Sequence, residues 1–376
     1  MLLAKSQVEE DLKQLKKTLV DKHPKPFLFI SEKTFDDKIS EIQKTTNDSQ
    51  KLGIIVKRLL AKIRDSHTCI NYSSEIFGID SYPLKVKYIK DGYYIVGTSK
   101  KHKELLGGKL LSINDIGISN VENTLKPFVS QENVTSLKYY TPSIMVDPVF
   151  LNFSKITKNR SMKVNVDVKG RKTEHIVLIE DGDIELMEVP ENGELEETLK
   201  YKDKYWDMIY PRNNLFFFKY NECSENKDYP IKNVIQNYKK SSMDIFVIDL
   251  RRNKGGDSYV VKDLIDYLTN SQSQIFVLTG KDTYSSGIVN LMEFSSIPRT
   301  TTVGEIPHGT PTHFGETYKF ELKNSKIRVQ TSTKLFEFEG YKLGDVFKPN
   351  FIIEDNIEDL KKGVDTQMRF VFKKIS

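Results

Sequence analysis

The chain is short of the residues that signal redox, metal or membrane chemistry. Only two of its 376 residues are cysteines, Cys69 and Cys223, and they show neither a metal-ligand spacing nor a disulfide framework. Both are expected to be small, partly buried side chains. No run of eighteen apolar residues occurs, so no integral membrane segment is expected in this chain. The amino end, MLLAKSQVEEDLKQLKK, has no signal-peptide core, which makes a cytoplasmic location the expectation for the chain as it stands. An excess of one charge is missing too. The 57 basic and 52 acidic residues leave a net charge of +5, mild and well mixed, and nucleic acid is not an expected partner. No internal repeat is visible, and the Gly-x-Ser-x-Gly elbow of one large hydrolase fold is absent.

What is present is the composition of a folded chain, 38% hydrophobic and 29% charged, long enough for two or three domains. The first 65 residues carry apolar positions at helical spacing in QVEEDLKQLKKTLVDKH, in SEKTFDDKISEIQKT with Ser31 as a cap, and in KLGIIVKRLLAKI. This predicts an N-terminal helical domain over 1–75. A β-rich middle segment over 76–180 is expected from LKVKYI, GYYIVG, GGKLLSINDIGI, MKVNVDVKG and HIVLIE, with strands continuing through 136–180. EDGDIELMEVPENGELEE has nine acidic residues and no basic one, and reads as a solvated connector over 181–200.

From 201 to 376 apolar strands alternate with amphipathic helices: NLFFFKYNEC, IKNVIQNYKK, DIFVIDL, SYVVKDLIDYL, QIFVLT, GIVNLMEF and TTTVG. Such alternation predicts an α/β fold with a mostly parallel sheet, α+β over the whole chain. A hairpin, TYKFELKNSKIRVQTS, and a final helix, IEDLKKGVDTQMRFVFKK, follow. Chemistry in such sheets collects beyond the carboxyl ends of the strands, and three loops leave that edge: RRNKGGD, GKDTYSS and EIPHGTP. Gly255 and Gly256 can bring backbone amides close to a ligand, and a helix starting at Ser286 would set its free amides beside Ser285. Taken singly, each loop is equally a strand-to-helix turn with a capping side chain.

In combination, IFVIDLRRNKGGD, IFVLTGKDTYSSG and TTTVGEIPHGT resemble the C-terminal processing (tail-specific) peptidases and the related tricorn core. The shared pattern is Asp249, Leu250, Arg251, Asn253, Gly255, Gly256, Thr283, Ser285, Val303, Gly304 and Glu305, in order over about 214–310. The resemblance implies a crotonase/ClpP-like ββα catalytic core, Ser285 as nucleophile, and oxyanion amides from Ser286 and from Gly255 or Gly256. It departs at Ile288, where many members have Glu, and at Thr310, where the Ser–Lys branch keeps its base.

Six histidines are candidates for that base: His23, His67, His102, His175, His308 and His313. RDSHT resembles the motif of the His-base, tricorn-like branch, which implies His67 as base with Ser66 supporting it; His308 is the competitor. A late acidic residue in FEFEGYK is implied as a further support, Glu339 ahead of Glu337. Residues 93–126, with GGKLLSIND, resemble a PDZ-like module, of the kind that binds peptide by strand addition. The implied function is a serine peptidase acting on polypeptide substrates, with no cofactor and no metal. The alternative is a catalytically inactive peptide- or ligand-binding protein on the same fold. Acyl-CoA chemistry of the crotonase type is disfavoured, because it needs neither the serine nor the Asp-Leu-Arg motif. Relatives are commonly exported, so the resemblance implies an extracytoplasmic location if a leader precedes this chain.

Overall fold

The computed structural model describes residues 1–78, 80–180, 184–189 and 204–376. Most of the acidic connector expected over 181–200 lies outside these residues. The chain forms two compact units, Met1–Glu188 with Thr312–Glu337, and Val189–Pro311 with Phe338–Ser376.

In the first unit, helix Lys5–Lys22 buries Val8, Leu12, Leu15 and Leu19, one face at a spacing of three to four residues. Helix Glu32–Thr45 starts where Ser31 Oγ accepts the amide of Thr34 at 3.1 Å, and helix Ser49–Leu60 where Asp48 accepts that of Lys51 at 2.9 Å. An antiparallel sheet follows, ordered Leu84–Ile89, Gly92–Thr98, Lys109–Ile113, Ser161–Val168, Arg171–Leu178. Met187–Glu188 pairs antiparallel with Gly97–Thr98, at the end of an inner strand. Two helices, Ser136–Ile144 and Pro148–Phe153, stand where strands were expected after 136. The second is set by Pro148 in its first turn and by Asp147, whose carboxylate caps the amide of Val149 at 2.8 Å.

The hairpin His313–Glu321 with Arg328–Phe336 also belongs to this unit. Arg328–Gln330 pairs antiparallel with Cys69–Asn71, the strand directly after the RDSHT loop. The span 201–376 is therefore interrupted: the hairpin completes a three-stranded sheet with the amino-terminal part of the chain.

The second unit holds six strands in the order Phe351–Ile352, Thr300–Gly304, Gln274–Thr279, Ile245–Asp249, Leu215–Tyr220, Tyr205–Tyr210. Four of the five pairings are parallel and only the last is antiparallel. Ile245–Asp249 and Leu215–Tyr220 are buried at every position, as a sheet covered on both faces requires. One face packs on helices Ile231–Ser241, Lys262–Asn270 and Ser286–Ser295, the other on Thr366–Ile375. The closing helix is split into Ile357–Leu360 and Thr366–Ile375. Gly363 turns the chain at φ 66°, and Asp365 caps the amides of Gln367 and Met368.

Candidate active site

Gln274–Thr279 ends in a loop that delivers Ser285 to the start of helix Ser286–Ser295. Ser285 has φ 52° and ψ −127°, a region that glycine favours and other residues rarely enter. The amide of Gly287 donates to the Tyr284 carbonyl at 2.9 Å, closing a four-residue turn with Ser285 at the position of type II′ geometry. Holding a side chain there costs about 1–3 kcal/mol, which persists only where the surroundings impose it. Ser285 occupies the capping position of the helix, yet its side chain forms no capping hydrogen bond.

The RRNKGGD loop packs directly on this turn. Gly255 has φ 103°, and a β-carbon there would lie 2.8 Å from Ser285 Cβ and 3.2 Å from its Oγ. A β-carbon on Gly256, φ 132°, would lie 2.1 Å from the carbonyl oxygen of Cys223. Both positions need glycine for close approach as well as for backbone conformation. Buried Asn253 braces the two loops: its Oδ1 accepts the amide of Gly255 at 2.9 Å, and its carbonyl accepts the amide of Tyr284 at 2.9 Å. The amide of Gly255 is thereby committed. The amides of Gly256 and Ser286 have no partner among the described residues, and Ser286 Oγ donates to the Gly256 carbonyl at 2.6 Å.

Beneath the loop, Asp249 and Arg251 act as structural anchors. Asp249 accepts Lys219 Nζ at 2.8 Å and Arg251 at 2.6 and 3.0 Å, while Arg251 also grips both oxygens of Asp365 at 2.8 and 2.7 Å. Burial pushes the Asp249 carboxyl up, but the charges of Arg251 and Lys219 outweigh it and hold it well below the usual carboxylate range.

The neighbouring EIPHGTP loop buries His308 and Thr310. His308 Nδ1 donates to the Lys281 carbonyl, which fixes the tautomer and leaves Nε2 as the basic nitrogen, and its ring stacks on Tyr284 with centroids 4.5 Å apart. Lys281 is ion-paired with Glu305.

His67 and Ser66 lie in the first unit. The 3-10 turn Ala61–Ile63 ends with Arg64 in a left-handed conformation, and this reversal turns the chain into Asp65-Ser66-His67. Asp65 Oδ1 accepts the amide of His67 at 2.9 Å and lies 3.7 Å from its Nδ1. Asp65 Oδ2 accepts His23 Nε2 at 3.2 Å, Thr68 Oγ at 2.5 Å and Ser332 Oγ at 2.7 Å. Burial opposes ionisation of Asp65, but these donors and the adjacent His67 hold its carboxyl far below the usual range. Glu132 Oε1 accepts both the amide and the Oγ of Ser66, at 2.6 and 2.7 Å. Burial, reinforced by the charge of Asp65, pushes the Glu132 carboxyl up to about 7. The His67 ring faces that of His313 at 5.9 Å.

Asp65, His67 and Glu132 each present a ligand atom within 4.8 Å of the others and could together hold a cation. Hydrogen bonds reach both oxygens of Asp65 and one of Glu132. Sequence reasoning missed Asp65 and Glu132 as neighbours of His67. The Asp of RDSHT was a visible signal, whereas Glu132 comes from a remote turn with no motif. Of the acidic residues singled out near the carboxyl end, Glu337 and Glu339 are both exposed and form no ion pair among the described residues. Glu339 falls in the second unit with Ser285, Ser286, Gly255 and Gly256, and Glu337 in the first.

No family model matches the chain, and no curated protein matches it in sequence. Solved structures do resemble it. Mature CPAF has a TM-score of 0.69 at 12% identity, covering 99% of this chain and 96% of that one. Mature CPAF complexed with lactacystin has a TM-score of 0.68 at 12% identity, covering 99% and 97%. A protein from Parabacteroides merdae described as a candidate peptidase has a TM-score of 0.51 at 12% identity, covering 98% and 96%. Over nearly its whole length, then, the chain has a fold similar to that of mature CPAF.

Proposed function

We propose that the chain is a serine peptidase of the C-terminal processing and tricorn-like group, in its His-base branch. The observation that carries this is the turn at Ser285. A serine is held in a glycine-favoured conformation between strand and helix, spared from capping, with two uncommitted amides in the adjoining backbone. Strain of this kind persists where a reactive side chain must be presented. The fold likeness to a protein described as a candidate peptidase supports the same reading.

In the proposed reaction Ser285 Oγ attacks the peptide carbonyl carbon as His67 takes its proton. The C–N bond then breaks, and the proton passes to the leaving amine. Water, activated by the same imidazole, releases the acyl group and restores Ser285. Amides of Ser286 and Gly256 hold the oxyanion, a role worth about 3 kcal/mol per donor. Gly255 allows the loop to close on Ser285 and lends its own amide to Asn253. Ser66, held by Glu132, supports the loop that carries the imidazole, and Asp65 fixes the backbone of His67. Glu339 is retained from the family resemblance as a further support for the base. No step needs a cofactor or metal.

The test is covalent labelling with a fluorophosphonate probe, read by mass spectrometry of the digested protein. An adduct on the peptide containing Ser285 that vanishes in Ser285→Ala is expected. Labelling that survives Ser285→Ala, or no labelling of the wild type, would leave a binding protein on this fold as the better description.

A further inference from the structure

The loop that carries His67 has a second side. Within the first unit, a groove of about 630 Å³ lies between the start of helix Glu32–Thr45, the 3-10 turn Ala61–Ile63 and the turn Lys126–Phe128. That volume is in the range that accommodates a small ligand or a few side chains. Lys62, Arg64 and Lys126 line it, and no acidic residue does. Some cations of this unit are ion-paired, Lys16 with Glu32 and Asp36 and Lys163 with Asp115 and Glu174; those of the groove are gathered in one place with no acidic side chain among them. Lys62, Arg64 and Lys126 have no ion-pair partner among the described residues.

Arg64 is also held in place. Its backbone is left-handed, at φ 60° and ψ 37°; its Nε donates to the Gln131 carbonyl at 2.9 Å; and its guanidinium lies 4.7 Å from the centroid of Phe29. Stacking and one hydrogen bond fix the plane and leave the two terminal nitrogens for a ligand, the fork that matches a carboxylate. Phe29, 38% exposed, and Pro127 supply apolar wall beside the cations.

We propose that this groove binds an acidic peptide segment, a carboxylate flanked by apolar side chains. The cations are complementary to the carboxylate, and the apolar wall to its neighbours. The groove and the His67 loop share one pair of backbone segments, since Gln131 holds Arg64 and the next residue, Glu132, holds Ser66. A peptide seated against Arg64 is three residues along the chain from the imidazole-bearing position. That the bound peptide is also a substrate rests on the peptidase reading; that it binds does not.

The experiment uses the full chain carrying Ser285→Ala, so that no cleavage intervenes, and fluorescence anisotropy of short labelled peptides. One probe alternates leucine with aspartate and glutamate; its isostere carries asparagine and glutamine. Each is made with a free and with an amidated carboxyl end. The acidic peptide is expected to bind about tenfold tighter than the isostere, with affinity falling as salt screens the charges. Lys126→Glu alone should weaken it severalfold, and Arg64→Glu with Lys126→Glu should abolish the preference. Preference kept by the amidated acidic peptide assigns the contact to side-chain carboxylates, and preference confined to free ends assigns it to the terminal one. Equal binding of acid and isostere, a preference indifferent to both variants, or tighter binding of a single-stranded oligonucleotide would overturn the proposal. Because the readout is binding, it stands or falls separately from labelling at Ser285.

Discussion

Replacing Ser285 by glycine and, separately, by alanine isolates the strain at the turn from the loss of the hydroxyl. The backbone there, φ 52° and ψ −127°, is pinned by the Gly287–Tyr284 hydrogen bond and by the packing of Gly255 against Ser285 Cβ. A side chain in that conformation costs about 1–3 kcal/mol, which glycine does not incur. Glycine's greater freedom in the unfolded chain returns about 0.4–1 kcal/mol of that advantage. Ser285→Gly should therefore be about 0.5–2 kcal/mol more stable than Ser285→Ala, a difference of about 2–6 °C in melting temperature for a unit of this size. Urea unfolding followed by circular dichroism gives the free energies, and thermal scans the temperatures. Neither variant should label with a fluorophosphonate. If Ser285→Gly is no more stable than Ser285→Ala, the turn is not strained at Ser285, and the structural reason for treating it as a nucleophile is lost.

Two further substitutions test the buried charges. Arg251→Met leaves the buried carboxylate of Asp249 with Lys219 as its remaining charged partner and takes both guanidinium bonds from Asp365, and should cost about 3–5 kcal/mol in denaturant unfolding; a cost under about 1 kcal/mol would contradict the anchoring role. Because the Asp249 carboxyl is depressed when folded, its contribution is present above its ordinary value of 3.8 and is lost as pH falls below it. Glu132 has the opposite sign, since its folded value of about 7 lies above the ordinary 4.5. The stability it lends is full below 4.5 and declines as pH rises to 7, on the order of 3 kcal/mol in all. Glu132→Gln should flatten the stability profile across that window, and an unchanged slope would count against the buried carboxyl.

Much of the second unit was legible because its local signals agree with one another. QIFVLT and TTTVG are strands over those very residues, since a β-branched and apolar run bounded by glycine or polar residues has no competing period. The closing helix was over-extended because LKKG was read through: Gly363 takes a positive φ there, and Asp365 starts a new cap. Strands were expected to continue through 136–153 as part of the β-rich segment. Asp147 and Pro148 decide otherwise at the start of the second helix. The order of motifs singled out Ser285, Gly255 and Gly256 as candidates, but not that Asn253 takes the amide of Gly255, a fact of packing between two loops. RDSHT pointed to His67; Glu132, 65 residues further on, could not be seen because its contact with Ser66 is made only by the fold.

The central claim is that His67 activates Ser285, with His308 the only rival the sequence offered. The direct measurement is the second-order rate of fluorophosphonate labelling at Ser285 in the wild type, His67→Ala and His308→Ala, with melting temperatures recorded for each. Loss of a general base should slow His67→Ala by about 10²–10⁴-fold while His308→Ala stays within severalfold of the wild type. A folded His67→Ala variant that labels at the wild-type rate, or a collapse in His308→Ala alone, would contradict it.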